Sequence, residues 1–266
     1  MATPSNTVFD NSGNGPQNVV AGGGPQFNHN GSGTQYHFHG SAAVSDAEIR
    51  RREKEDCLSS LGFPSLHARW QDIENAHPNT CDWLFSTQEF LHWRGCDHPP
   101  HSNGVLWIKG NPGTGKSTLM KHTSRYLENT IPHGLIAAYY FNARGGVLEK
   151  TPVGMMRSLV YQILSQDNDL YETLGPSFRE QQRLGRGDDL QWRVSELKGL
   201  IRSIVRQQQS KPLLLLVDAL DECDDQDVRD VVSFFEILSI DAIKSRVVLR
   251  ICLSSRHYPY VSMKKA

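Results

Sequence analysis

The stretch Val105-Leu-Trp-Ile-Lys-Gly-Asn-Pro-Gly-Thr-Gly-Lys-Ser117 decides the fold. Val105–Ile108 is a short apolar run, Gly110-x-x-x-x-Gly115-Lys116-Ser117 is a glycine-rich loop, and Thr118 to about Leu127 carries helical spacing. Strand, loop and helix in that order form the Walker A arrangement, a phosphate-binding loop. Its glycines let backbone N–H groups converge on phosphate oxygens, and the following helix points its positive end at them. The expected nucleotide contacts are Gly110, Asn111, Pro112, Gly113, Thr114, Gly115, Lys116, Ser117 and Thr118. Lys116 can reach the β- and γ-phosphates, and the Ser117 hydroxyl is placed to ligate Mg²⁺.

Such a loop calls for a metal-binding carboxylate at the end of a buried strand. Leu213–Val217 is an unbroken apolar run, the pattern of a strand covered on both faces in a parallel sheet. Asp218 at its C-terminal end is the expected Mg²⁺ partner beside Ser117, directly or through water. Asp221 and Glu222 are the candidates to orient an attacking water. A further β-rich stretch, Arg246–Leu253, runs into Ser254-Ser255-Arg256. Arg256 can contact the γ-phosphate there and completes an expected catalytic set of Asp221, Glu222 and Arg256. Between these motifs lie a strand at Leu135–Phe141 and amphipathic helices over Thr151–Ser165, Leu190–Gln208 and Asp227–Leu238. Alternation of this kind specifies an α/β fold, a doubly wound and mostly parallel sheet of the P-loop NTPase type.

Upstream of the loop, a helix is expected from the cap candidates Asn79 and Thr80 to about Trp93, carrying Trp83, Leu84, Phe90 and Leu91. Ser45 or Asp46 can cap another helix through the mixed-charge run Glu48–Asp56. Its i,i+4 pairs Glu48–Arg52 and Arg51–Glu55 suit a solvated spacer. Residues 1–40 hold one charged side chain, Asp10, and repeat with a period of nine. Gly13-x-Gly15-Pro16-Gln17 recurs as Gly22-x-Gly24-Pro25-Gln26 and as Gly31-x-Gly33-Thr34-Gln35. Stacking one unit on the next would place Gln on Gln and aromatic on aromatic, the ladders of cross-β assemblies. A flexible Gly/Asn-rich linker is the plainer alternative. None of the three units carries a carboxylate, so a calcium-binding β-roll is excluded. The expected organisation is a repeat tail over 1–40, a charged spacer over 41–56, a helical segment over 57–103 and an NTPase core over 104–266.

Composition narrows the function further. In 266 residues, 38% are hydrophobic, enough for a real core. The 28 basic residues face 29 acidic ones, which leaves no sequence-wide pull toward nucleic acid or anionic membrane. Apolar runs fall far short of the ~20 residues of a membrane span. The N-terminus is polar, and the five cysteines form no CxxC pair, which suits a reduced cytoplasmic protein. His92, Cys96, His98 and His101 match no zinc-finger spacing and are interrupted by Pro99-Pro100, so no zinc site is expected.

These motifs resemble those of the NACHT NTPases of the STAND class, particularly the large fungal group of NLR-like receptors. The resemblance rests on Leu213–Val217 and Asp218 followed by small Ala219, Leu220 and only then Asp221-Glu222. Many other P-loop ATPases carry the catalytic Glu directly after the metal-binding Asp. Further matches are residues 104–117, Phe141-Asn-Ala-Arg-Gly145, Leu253-Ser-Ser-Arg-His-Tyr-Pro259, and the stretch around Cys57-Leu58, Phe63-Pro64 and His77 to Phe85. The N-terminal repeats are similar to the sigma motif, an amyloid-signalling segment of some fungal NACHT proteins.

The resemblance implies an ATP- or GTP-dependent signalling switch with Mg²⁺ and slow nucleoside triphosphatase activity, in programmed cell death of the heterokaryon-incompatibility or innate-immunity type. It also implies homo-oligomerisation on activation, and an effector protein bearing a similar amyloid motif that the tail templates. NACHT receptors continue past the sensor-1 arginine with a further strand, a helical region, a winged helix and a repeat array. The chain is therefore expected to be incomplete at its C-terminus. Two alternatives stand beside the switch: a self-assembling interaction module with an inert NTPase core, and a remodelling ATPase of the AAA type.

Overall fold

In a computed structural model of the chain, residues 45–95, 104–172, 175, 192–208, 210–223 and 225–257 are described. The nonapeptide tail, along with Cys96, His98 and His101 of the rejected zinc constellation, lies outside them. The chain divides into two compact units, Met1–Ile49 and Arg50–Ala266, and the second carries the sheet.

Among the described residues, four parallel strands form that sheet: β1 (Val105–Lys109), β2 (Leu135–Tyr140), β3 (Leu213–Asp218) and β4 (Leu249–Ser255), in the spatial order β1-β4-β3-β2. The order explains the layering. The chain crosses the full sheet from β1 to β2 through α4 (Lys116–Thr130), then steps back through β3 and β4. Right-handed crossovers in opposite directions put their helices on opposite faces. Accordingly α4 lies on one face, and α5 (Pro152–Gln166), α6 (Val194–Gln207) and α7 (Asp225–Lys244) lie on the other. Side chains of each strand alternate between the two layers. Leu213, Leu215 and Val217 join the α5–α7 core, whereas Leu214 and Leu216 join the α4 core. This double burial is why β3 reads as a continuous apolar run.

The α4 layer also holds the segment ahead of β1: α2 (Ala68–Asp72), a 3₁₀ turn over Asp82–Ser86, and α3 (Gln88–Arg94). Here the expected single helix up to Trp93 is corrected. Thr87 breaks it at φ −71°, ψ 145°, and its side chain accepts from Phe90 N at 3.3 Å to start α3 afresh. A threonine at this point caps more readily than it continues a helix. The helix α1 (Asp46–Leu61) runs through the expected boundary at residue 56. Ser45 Oγ receives Glu48 N at 3.2 Å, and Arg51 pairs with Glu55 at 2.6 Å. Its far end docks by Cys57 and Leu61, and Arg157 of α5 donates to the carbonyls of Ser60, Leu61 and Gly62 at 2.8–3.1 Å. One side chain thereby satisfies carbonyls that a helix end leaves open.

The β2 edge is sealed by two glutamines one turn apart on α5. Gln166 accepts from Ile136 N at 3.2 Å and donates to Ile136 O at 2.8 Å. Gln162 does the same to Ala138, at 3.0 and 2.8 Å. Two side-chain amides thus imitate a neighbouring strand.

Candidate functional site

The site forms at the C-terminal ends of the parallel strands, where a doubly wound sheet opens its crevice. The loop from Gly110 to Gly115 leaves β1, and α4 begins at Lys116. Gly113 and Gly115 hold φ of 75° and 80°, left-handed values that a glycine adopts without strain. The loop is tied at its base, where Gly110 N donates to Ser255 O at 3.2 Å. Trp107 Nε1 also reaches Ser255 Oγ at 2.9 Å, so the end of β4 fixes where the loop starts. Residues 111–115 are exposed. Lys116 curls back over the loop, its Nζ donating to Gly110 O and Asn111 O at 2.8 Å each. Thr114 Oγ1 donates to Asn111 O at 2.8 Å. Thr118 lies half-buried in the first turn of α4.

Asp218 ends β3 and is 1% exposed. Burial pushes its carboxyl above the usual carboxylate range. The Ser117 and Ser254 hydroxyls, the Ala219 N–H and the Arg69 guanidinium pull the other way. Ser254 Oγ donates to Asp218 Oδ1, while Oδ2 is buried without a hydrogen-bond partner. An orphaned carboxylate oxygen beside a hydroxyl is the donor set a Mg²⁺ ion takes from a protein when phosphates and water supply the rest. Asp218 and the neighbouring Ser117 therefore fit the ion.

Beyond Asp218 the backbone turns left-handed at Ala219 (φ 54°, ψ 45°) into a short 3₁₀ turn over Leu220–Glu222. That turn sends the two acids to different partners. Asp221 Oδ1 accepts from Arg256 N at 2.8 Å, and its Oδ2 meets Arg256 Nε at 3.0 Å. Glu222 Oε2 accepts from Ala143 N at 2.8 Å, in the loop that follows β2. Asp221 and Arg256 are thus brought together as an ion pair, while Glu222 anchors the quoted 141–145 stretch. Sequence reading gave no role to Ser254, Ser255 or Tyr140. Tyr140 pairs in register with Asp218 and its hydroxyl is buried without a partner. The signal for the two serines is their place beside Arg256 at the end of a β-rich stretch.

The model of the family described as Nephrocystin 3, N-terminal, matches residues 79–256. This chain belongs to that family. Every expected site residue of this chain, from Gly110 to Arg256, falls within the matched span. A relative among known proteins is the vegetative incompatibility protein HET-E-1 of Podospora anserina, 27% identical over 219 residues. That match takes in 79% of this chain and 15% of HET-E-1, so the chain spans a small part of the relative's length. Together the two findings support a fungal NACHT-type protein, in line with the motif resemblance. Among solved structures, PCH-2 of C. elegans matches 82% of this chain and 40% of its own at 10% identity. Its TM-score of 0.29 is too low to argue from. No helix among the described residues is long and apolar enough to cross a membrane.

Proposed function

We propose that the chain binds a nucleoside triphosphate (ATP or GTP) with Mg²⁺ and acts as a nucleotide-dependent switch in incompatibility-type cell-death signalling. The observation that carries the reading is the pairing of two incomplete partners. Lys116 rests on loop carbonyls at 2.8 Å, and Asp218 Oδ2 is buried with no partner next to Ser117. Phosphate oxygens would take Lys116 from the carbonyls, and the exposed loop N–H groups would bind the β-phosphate. Ser117 and Asp218 would hold Mg²⁺, which would supply positive charge against the phosphates.

Residues 104–266 would form this core and 57–103 its preceding helical segment. Arg256 is held by Asp221, so a γ-phosphate would have to compete with that carboxylate to recruit it. Asp221 and Glu222 orient water only once released from Arg256 and Ala143, which fits slow turnover by a switch. Kinship with a vegetative incompatibility protein supports cytoplasmic signalling through homo-oligomers. The shared phase of Gln17, Gln26 and Gln35 supports an N-terminal motif that templates a matching effector segment.

Calorimetry of the purified chain with Mg²⁺ and ATP or GTP, beside Lys116→Ala, tests the core of this reading. Binding is expected in the wild-type chain and is lost in the variant, since the loop's lysine supplies the charge-assisted contacts to the phosphates. Equal affinity in both proteins, or none in the wild type, would overturn it.

A further inference from the structure

We propose that Arg69, on the short helix α2 ahead of the sheet, closes the outer wall of the phosphate site and grips the terminal phosphate of a bound nucleoside triphosphate. This rests on the nucleotide reading above and adds to it a residue outside the span matched by the family, which begins at residue 79.

The placement comes from α4. Lys121, one turn past the phosphate loop, donates from Nζ to Trp70 O at 2.8 Å and to Ile73 O at 2.5 Å. Its ammonium lies 4.4 Å from the Trp70 ring centroid, with the Arg125 guanidinium 5.3 Å away on the same ring. The backbone around Arg69 is thereby pinned to the helix that carries Lys116 and Ser117. The strands agree. Tyr140 and Asp218 are register partners at the ends of β2 and β3. They share the face of Ile136, Leu214 and Leu216, against which α4 packs and to which Trp70 belongs.

On that face the polar accounting is unfinished. Arg69 Nε, Tyr140 Oη and Asp218 Oδ2 are each buried without a hydrogen-bond partner, and Tyr140 is 6% exposed. The Arg69 charge acts on Asp218, and the Asp218 charge acts on Tyr140. Each unmet buried polar group is costly, and native structures seldom leave neighbouring ones unresolved. One ligand settles all three. Its cation takes the Asp218 oxygen, and its phosphate oxygens take the guanidinium and the phenol, both of which donate. A planar arginine fork matches a phosphate better than any other side chain. Asp218 and Ser117 mark the metal end of the site, so the phosphate within reach of Arg69 is the terminal one. The helix α2 would then sense whether that phosphate is present.

The test uses the full chain, calorimetry with Mg²⁺, and two ligands: ADP and a non-hydrolysable ATP analogue. Arg69→Gln is expected to weaken the triphosphate roughly tenfold or more and the diphosphate less than about twofold, with Arg69→Lys recovering part of the loss. Hydrogen exchange of the Ala68–Asp72 amides should slow when the triphosphate binds the wild-type chain, and not in Arg69→Gln. Equal losses for both ligands, or no loss, would overturn the assignment while leaving the nucleotide reading intact. A wild-type chain that binds neither ligand would overturn both. Melting of the ligand-free variants checks that they fold. If Arg69→Gln does not, the triphosphate-to-diphosphate affinity ratio of Arg69→Lys decides, and an unchanged ratio refutes the proposal.

Discussion

Replacing Gln162 and Gln166 with methionine should unseal the β2 edge without disturbing the helix that carries them. Methionine keeps the length and helix propensity of glutamine. The double variant loses four edge hydrogen bonds, to the N–H and C=O of Ile136 and Ala138. At a net value of about 1 kcal/mol each, the pair is worth about 4 kcal/mol, and each glutamine about half of that. Ile136 is 8% exposed, so water cannot easily take over its edge groups, but Ala138 is half-buried and water can replace part of its share, which makes the figure an upper bound. For a folded body of this size 1 kcal/mol moves the melting midpoint by about 2–4 °C, giving a drop of up to roughly 8–16 °C for the double variant. Calorimetric melts of the two single variants and the double variant would measure it. Light scattering should also report concentration-dependent association, because an exposed strand edge recruits other strands. A double variant that melts within about 2 °C of wild type and stays monodisperse would refute the reasoning.

Asp218→Asn should raise the melting temperature of the nucleotide-free chain at neutral pH. Burial holds the Asp218 pKa up, so the native state binds its proton more tightly than the unfolded chain. The wild-type contribution is therefore complete below the ordinary value of about 4 and is lost as pH rises through the raised one, whereas asparagine loses nothing. A variant-minus-wild-type gap that stays constant from pH 4 to pH 8 would contradict this. Asp167 behaves oppositely. Burial alone would raise its pKa, but Lys211 at 2.6 Å and the Leu170 N–H at 3.0 Å outweigh it and hold the pKa low. Asp167→Asn should cost about 2 kcal/mol at pH 7, in urea unfolding, and the cost should vanish as pH falls below about 4 through the depressed value. A cost unchanged at acid pH would refute it. A peptide of residues 1–40 should form thioflavin-binding fibres, and a Gln17/Gln26/Gln35→Lys variant should not, because stacking would superpose like charges. Equal behaviour of the two peptides would reduce the tail to a linker.

The phosphate loop could be read from the sequence because its requirements are local. Glycines at fixed spacing, a lysine and a hydroxyl follow one another between an apolar run and a helical one. Asp218 was legible for a related reason, since Leu213–Val217 announces a strand buried on both faces. Apart from the local cap at Thr87, what stayed hidden depends on partners distant in the chain. Thr87 looks like one more polar residue of a helix until its side chain is seen to start a new one. Gln162 and Gln166 read as a solvated helix stripe, yet they face the backbone of a strand more than 20 residues earlier. The Asp221–Arg256 pair exists because β4 lies between β1 and β3, an order that no single motif states.

The left-handed turn at Ala219 limits how this site can change by mutation. A glutamate at 219, the layout of many other P-loop ATPases, would place a carboxylate where Ala219 is 8% exposed, a costly burial unless a partner is supplied. It would also leave residue 222 still holding the Ala143 N–H. Reaching that layout means re-laying the turn, with the Arg256 pair or the Ala143 anchor lost before a new acid is correctly aimed. Ala219→Glu alone therefore does not reproduce the other arrangement, since Asp221 and Glu222 keep their present partners. The two layouts are separate starting points for descent, and lineages that begin from one are expected to keep it.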